Sequence, residues 1–297
     1  MVAALILSGN LSPVVDDPTR VATGESACDG RSGMVSGTGF TAAKLRDVAR
    51  DYIRTSGLDQ HDFDVAEGSG LFLLDEGFCR DVAAVFDAAP LLDFDTELAE
   101  QYLIFKSENL RQLAALTEAG LRVRPWRQPG QPYATSRELR ESVLHTGTLY
   151  VYMTMSGHGP GEVTGFHPLR APSGVRADGV DFTHNDVFRA VHDVFGHVAE
   201  DVDFGPRGEF IATKSHLRMY PDEVLPVLFT EQIGQICWFF FGPHLADSTG
   251  RLPRPGEPGY LPPARRPYPP QKVFPYPVGI LSRFRELVGH QPARSPE

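Results

Sequence analysis

The sequence predicts a mainly α fold with a small β element, arranged as a single helical domain around a metal site. Apolar residues recur at helical spacing over most of the chain after residue 39. Only one segment, residues 148–154 (TLYVYMT), combines β-branched and aromatic residues in the way that is typical of a strand. Two histidines within residues 187–197 indicate the metal site. The chain has 297 residues, enough to bury a sizeable core.

The helices are predicted where this spacing is followed by a stop signal. The clearest one covers residues 95–119, where Leu98, Tyr102 and Phe105 begin an apolar stripe and Gly120 follows the end. A turn-rich stretch, residues 156–179, separates the strand from the histidine segment. The other helices are predicted over residues 41–57, 76–88, 137–144, 184–200, 207–220, 222–241 and 280–288.

Two parts of the chain differ in composition from this helical body. Residues 1–38 are rich in Gly, Ser, Thr and Asp without sustained periodicity, which predicts a flexible N-terminal arm. Residues 39–297 then form the metal-binding domain. Within that domain, residues 242–277 are dense in proline and are expected to wrap over the surface.

Charge and cysteine usage argue against several classes of function. The formal net charge is −10, from 28 basic and 38 acidic side chains, and no long basic run is present. No nucleic-acid partner is therefore expected, because such partners are bound through clustered cations. Three dispersed cysteines without a CxxC pair indicate a reducing, cytoplasmic environment. No membrane association is expected, since the apolar run at residues 236–241 is too short to cross a bilayer.

The most informative segment is VFRAVHDVFGH, which contains His192 and His197 and is followed later by Glu231 in LFTEQIGQ. Two neutral imidazoles and one carboxylate on one face of an ion are the ligands of non-heme Fe(II) oxygenases, and a similar set serves zinc hydrolases. On a regular helix, however, side chains five positions apart diverge by about 140°. We expect Gly196 to let the backbone leave regular helical geometry, so that His197 can turn toward His192.

These motifs resemble a known family. HDVFGHV resembles the HxxxGHV segment of the biopterin-dependent aromatic amino acid hydroxylases, and FTEQIG resembles their FTxEFG segment, with one residue fewer before the carboxylate. The resemblance covers roughly residues 183–242. It implies Fe(II) held by His192, His197 and Glu231, with Asp193 where the family has a glutamate near its pterin. A pterin is the family's further cofactor, but the residues that stack on it have no counterpart in this sequence.

A second resemblance covers more of the same region. NDVFRAVHDVFGH, FGPRGE, SHLRMY and TEQIGQ are similar to an uncharacterised domain of bacterial and phage proteins with an HDxFGH motif. This likeness implies that the segments belong to one unit, and it supplies no reaction.

Further polar residues are candidates for a catalytic pocket. Arg189 lies three positions before His192, where it would either hold a substrate carboxylate or phosphate or form a surface salt bridge. Glu209 and His216 are seven positions apart on one helical face, and would orient the ligands, act as an acid/base pair or supply an alternative ligand. A ligating histidine also needs an acceptor for its second nitrogen. The candidate acceptors are Asp186, Asp193, Gln232 and Gln235.

The leading functional hypothesis is a non-heme Fe(II)-dependent oxygenase whose partners are O₂ and a small-molecule substrate. One alternative is a metal-dependent phosphohydrolase of the HD type, in which His192 and Asp193 form the dipeptide and His184, His216 or Asp222 complete the site. Another is a non-enzymatic interaction domain stabilised by a metal. The sequence names neither the substrate, the electron donor nor the oligomeric state.

Overall fold

The computed structural model describes residues 39–58, 74–156 and 166–289, so the predicted arm of residues 1–38 lies outside the described residues. The described chain is mainly helical with two small sheets, which confirms the predicted fold class. The helices are α1 Ala42–Thr55, α2 Glu76–Ala88, α3 Thr96–Glu118, α4 Ser136–Thr146, α5 His184–His192, α6 Pro206–Leu217, α7 Leu225–Leu228, α8 Gln235–Phe241 and α9 Val278–Gly289. The strands are β1 Arg122–Pro125, β2 Thr148–Val151, β3 Pro172–Ala177 and β4 Val180–Thr183.

Side-chain caps fix where several helices begin. The N-cap side chain accepts a hydrogen bond from the backbone N–H three residues later in α1, α2, α3 and α4, with Thr41, Asp75, Asp95 and Thr135 as the caps. Helix α5, which carries the first histidine, has a full capping box between Thr183 and Asp186. Asp186 also accepts a hydrogen bond from the backbone N–H of Thr154 at 2.6 Å, and so fixes the start of α5 against the end of the β2 segment.

Two helical runs widen into π-helical turns. The first, π1 (Asp193–Val198), continues α5 directly, and the second, π2 (Phe229–Gly234), lies between α7 and α8. At the end of π1 the backbone N–H of Ala199 donates to the carbonyl oxygen of Val194, five residues earlier. Single π turns inside helices occur frequently at functional sites. The two segments that resemble the hydroxylase motifs, HDVFGHV and FTEQIG, therefore coincide with a local change in helical geometry.

A cluster of four phenylalanines holds the helices around these turns. Phe78 of α2, Phe210 of α6, Phe229 of π2 and Phe284 of α9 are almost fully buried, and their ring centroids lie 5.0 to 6.5 Å apart. Aromatic pairs at such distances contribute more than their buried area alone. Because Phe210 follows Glu209 in α6, this cluster fixes the position of a carboxylate that faces the histidines.

The β structure is more extensive than the sequence predicted. β2 lies within the predicted strand and pairs in parallel with β1, which was not predicted. A hairpin of β3 and β4 was not predicted either: β3 lies within the turn-rich stretch, and β4 follows it. Asp178 and Gly179 connect β3 to β4 with positive φ angles of 50° and 78°. An Asp-Gly pair with both φ values positive is a favoured hairpin turn. The hairpin was missed because its strands are short and contain no run of apolar side chains. Phe182 of β4 is their one buried residue.

The proline-rich residues 242–277 are fixed to the end of α2. The buried ammonium group of Lys272 donates to the carbonyl oxygens of Phe86, Asp87 and Ala89 at 2.7, 2.8 and 2.6 Å. A cation at the C-terminus of a helix satisfies carbonyl groups that have no partner within the helix.

One helical run, Asp222–Leu245, is long and apolar enough by composition to cross a membrane, with a mean hydropathy of 1.4. Inside the protein 83% of this apolar window is buried, as in the central helix of a globular core.

Candidate metal centre

The two histidines face the same side of the helix because π1 changes the helical period. His192 is the last residue of α5, and His197 lies in π1, five residues later. In a π turn the bonded partners are five residues apart, so positions i and i+5 lie one above the other. The Nε2 atoms of His192 and His197 are consequently 3.1 Å apart. The divergence expected for a regular α-helix does not occur.

Gly196 permits this geometry by its small size rather than by an unusual backbone angle. It does not have a positive φ. A Cβ atom at this position would lie 2.9 Å from Cβ of Ala212 on α6 and 3.2 Å from Cε1 of His192. The expected departure from regular helical geometry is present, as the π1 turn, and it involves no positive φ at the glycine. The absence of a side chain lets α6 approach π1 closely.

The carboxylate that meets the histidines belongs to Glu209 of α6. Its Oε2 atom lies 3.4 Å from Nε2 of His192, and its Oε1 atom lies 3.5 Å from Nε2 of His197. Each of the three residues is at most 2% exposed. Among the described residues this is the group of histidine, cysteine and acidic side chains whose ligand atoms converge closely enough to hold one ion.

These separations fit a single divalent ion. For two nitrogens bound at about 2.1 Å from a metal, a separation of 3.1 Å corresponds to an angle of about 95° at the ion. The nitrogen-to-oxygen separations of 3.4 and 3.5 Å correspond to angles of about 110°. Three ligands at such angles occupy one face of the ion and leave the opposite side open. Two imidazoles and one carboxylate form a donor set that suits iron or zinc.

The other nitrogen of each ring faces a group that fixes its orientation. The side-chain amide of Gln232 in π2 contacts Nδ1 of His192, as the sequence had suggested for this glutamine. Nδ1 of His197 lies 3.4 Å from the carbonyl oxygen of Val202. The Gln232 atom that faces Nδ1 is the amide nitrogen, and rotation of the amide by 180° would turn its oxygen toward the ring. With an oxygen at each Nδ1, both rings would carry their proton there, and both Nε2 lone pairs would face the space between them, where a cation would be stabilised.

The electrostatics of the group favour a cation at this position. Burial alone would raise the pKa of Glu209, but the nearby His197 and His192 outweigh it and lower this pKa to about 2. Burial, reinforced by the charge of His197, lowers the pKa of His192 to about 4. Burial also opposes protonation of His197, yet the carboxylate of Glu209 raises its pKa above the ordinary value.

Glu231, predicted from the sequence as the third ligand, does not belong to this group. Its Oε1 atom accepts a hydrogen bond from the hydroxyl of Tyr102 at 2.5 Å and lies 3.2 Å from Nε2 of His167. Its Oε2 atom accepts a longer bond, at 3.4 Å, from Gln235. In FTEQIG the residue that turns toward His192 is Gln232, the next position along the chain. The carboxylate that converges on the histidines is thus not Glu231 but Glu209, which the sequence had offered as an alternative ligand.

Arg189 and His216 lie close to the centre but bind other groups. Arg189 is 6% exposed and donates to the carbonyl oxygen of Tyr152 at 2.9 Å, so it does not form the surface salt bridge considered from the sequence. The His216 ring lies 5.6 Å from that of His192, but its Nε2 faces Oε1 of Gln112 at 2.7 Å. Burial and the charge of His192 hold the pKa of His216 well below its usual value. His216 therefore supports His192 as a neutral neighbour.

Asp193 is half-buried directly after the first ligand. Burial raises its pKa to about 6, although the charge of His197 acts in the opposite direction. Asp193 is not a member of the group formed by His192, His197 and Glu209. Asp222, a further ligand considered for a phosphohydrolase, is exposed and lies 3.9 Å from Arg285. The described residues therefore do not bring together the His-Asp pair and the further ligands that an HD phosphohydrolase would need.

Two site features had no signal in the sequence. The carbonyl of Val202 is a backbone group, which no side-chain pattern identifies. His167 lies in the turn-rich stretch, with Nδ1 accepting from the backbone N–H of Leu169 at 3.2 Å, and its approach to Glu231 depends on a contact between distant segments.

Comparison of the chain with models of known families, with curated proteins and with solved structures finds no match.

Proposed function

We propose that this protein is a non-heme Fe(II)-dependent oxygenase that acts on a small molecule, with His192, His197 and Glu209 as the ligands of the iron. The observation that carries the proposal is the convergence of two histidine Nε2 atoms and one carboxylate within 3.1 to 3.5 Å in a buried position. Two imidazoles and one carboxylate that leave open positions are the ligand set of this enzyme class.

The resemblance of HDVFGHV to the aromatic amino acid hydroxylases supports the same reaction class. In the FTxEFG pattern the fourth position is a glutamate, and the fourth residue of FTEQIG is Gln232. Here the amide of Gln232 orients His192, and Glu209 contributes the negative charge from another helix. The proposal therefore keeps the histidine pair of that family and replaces its carboxylate. It assigns no residue to a pterin.

Bound Fe(II) would supply the binding and activation of O₂ at its open positions. The protein contributes orientation and exclusion of water. The carbonyl of Val202, and the amide of Gln232 once its oxygen is turned toward Nδ1, would hold the two imidazoles in the tautomer that exposes Nε2. The burial of all three ligands keeps bulk water away from the ion and strengthens its attraction to Glu209.

The test is reconstitution of the protein with Fe(II) under anaerobic conditions. We expect about one iron per chain, uptake of O₂ with a reductant, and a nitric oxide adduct with the EPR spectrum of non-heme ferrous iron. The Glu209→Gln variant should lose the iron and the adduct signal while remaining folded. Wild-type iron content in this variant would refute the ligand assignment.

Other outcomes would identify a different function. Zinc- or manganese-dependent hydrolysis of phosphate esters without O₂ would replace the oxygenase with a hydrolase, since a similar ligand set activates water in such enzymes. Loss of the fold together with the metal would indicate a structural metal in a non-enzymatic domain.

A further inference from the structure

A second site is suggested by a cavity of about 520 Å³ between α3 and residues 166–171. Its wall includes Phe94, Leu103 and Phe166, and the rings of Phe94 and Phe166 lie 5.3 Å apart. Leu103 and Phe166 are each 60% exposed. Large apolar side chains that remain in contact with water beside a cavity of this size are typical of a binding site for a small molecule.

The charged residues that line the cavity are cationic. Lys106 and Arg170 both contribute to the wall, and none of the described lining residues is acidic. In the part of the chain that the structure describes, no carboxylate forms an ion pair with Lys106. Burial and the positive charge of Lys106 lower the pKa of the neighbouring His184. Such a positive position in a chain of net charge −10 favours an anion.

The same cationic side chains would oppose an ammonium group in the ligand. Lys106 and Arg170 both line the cavity and would repel a further positive charge. The buried carboxylate of Glu231, which lies 2.5 Å from the Tyr102 hydroxyl and 3.2 Å from Nε2 of His167, is not a lining residue.

From these contacts we infer that the cavity binds an organic anion with an apolar body and no cationic group. Its acid group lies against Lys106, and its apolar body packs on Phe94, Leu103 and Phe166. None of the residues that line this cavity belongs to the group of His192, His197 and Glu209, so the inference does not depend on a bound metal. The inference also differs from the substrate class of the aromatic amino acid hydroxylases, since an amino acid carries an ammonium group.

Three compounds that share one body test the inference by calorimetric titration of the full chain without added metal. The first is 3-phenylpropanoate, for which we expect one site with a dissociation constant of about 1 mM or tighter. The second, 3-phenylpropanamide, has no charge and should bind about tenfold more weakly. The third, phenylalanine, adds an ammonium group and should also bind about tenfold more weakly. Equal or tighter binding of either control would overturn the inference, as would absence of binding by 3-phenylpropanoate.

Variants then place the site on the structure. Lys106→Gln should weaken binding of 3-phenylpropanoate about tenfold and remove its advantage over the amide. Leu103→Glu should weaken binding of 3-phenylpropanoate further, because the new carboxylate would repel the acid group of the ligand. Leu103 is exposed, so the fold should tolerate a charge at this position. Lys44→Gln is the matched control, because Lys44 lies over the ring of Phe40 and donates to the carbonyl of Ala119 on another surface. Wild-type affinity in both cavity variants would show that the anion binds elsewhere and would overturn the assignment.

Discussion

Gly196 lies so close to Ala212 that a Cβ atom on the glycine would be 2.9 Å from Cβ of the alanine. This contact joins π1, which carries His197, to α6, which carries Glu209. The distance between two proposed metal ligands from different helices therefore depends on this close contact.

We predict that Gly196→Ala lowers the free energy of unfolding by about 2 kcal/mol, because the added methyl group overpacks a buried contact. It should also weaken metal binding by separating Glu209 from His197. Thermal unfolding and a metal titration measure the two effects. Gly279→Ala is the matched control, since nothing lies within 4 Å of a Cβ there. Adding Ala212→Gly should restore part of both losses, and a Gly196→Ala variant that behaves like the control would refute this reading of the contact.

A comparison of two glutamates tests the third ligand. Glu209→Gln should weaken metal binding by more than about 100-fold, because it removes a charged ligand. Loss of a residue that only orients a ligand weakens metal binding by about 100-fold at most. Glu231→Gln should change metal affinity much less, since Glu231 binds Tyr102 and His167 instead. Optical titration with Co(II) measures both constants. The reverse order of effects would restore Glu231 as the ligand.

The role of Gln232 is tested by two substitutions of similar size. Gln232→Leu removes the amide that contacts Nδ1 of His192 and should lower metal affinity by about 10-fold to 100-fold. Gln232→Glu places a carboxylate oxygen at the same position, where it can accept from Nδ1, and should retain most of the affinity. The metal titration distinguishes them, and equal losses in both variants would indicate that the amide contributes only packing.

Removal of the metal should lower thermal stability without unfolding the protein. A metal present at 100 times its dissociation constant stabilises the folded state by about 2.7 kcal/mol. For a domain of this size we expect the unfolding midpoint to fall by about 5 to 10 °C when a chelator is added. Circular dichroism should remain helical at 25 °C, because the four-phenylalanine cluster involves no ligand residue. An unfolded apoprotein would instead indicate a structural metal.

Much of the fold follows from local signals in the sequence. The predicted helix of residues 76–88 has the observed bounds, and the one of residues 95–119 differs by a residue at each end, because an aspartate cap begins each of them. The β1–β2 pairing was not predictable in this way, since four-residue strands form a sheet only when distant segments meet. The Asp178-Gly179 turn was a local signal for the hairpin that the strand pattern alone did not provide.

The sequence by itself identified the histidine pair, because His192 and His197 lie within one short segment whose local geometry brings them together. Only the tertiary structure decided which carboxylate joins them. Glu209 and Glu231 lie on different helices, and each helix can turn a carboxylate inward. The packing of α6 against Gly196 brings Glu209 to the histidines, while the hydrogen bond from Tyr102 and the close approach of His167 hold Glu231 elsewhere. Such long-range contacts depend on the whole core, and no spacing within a motif encodes them.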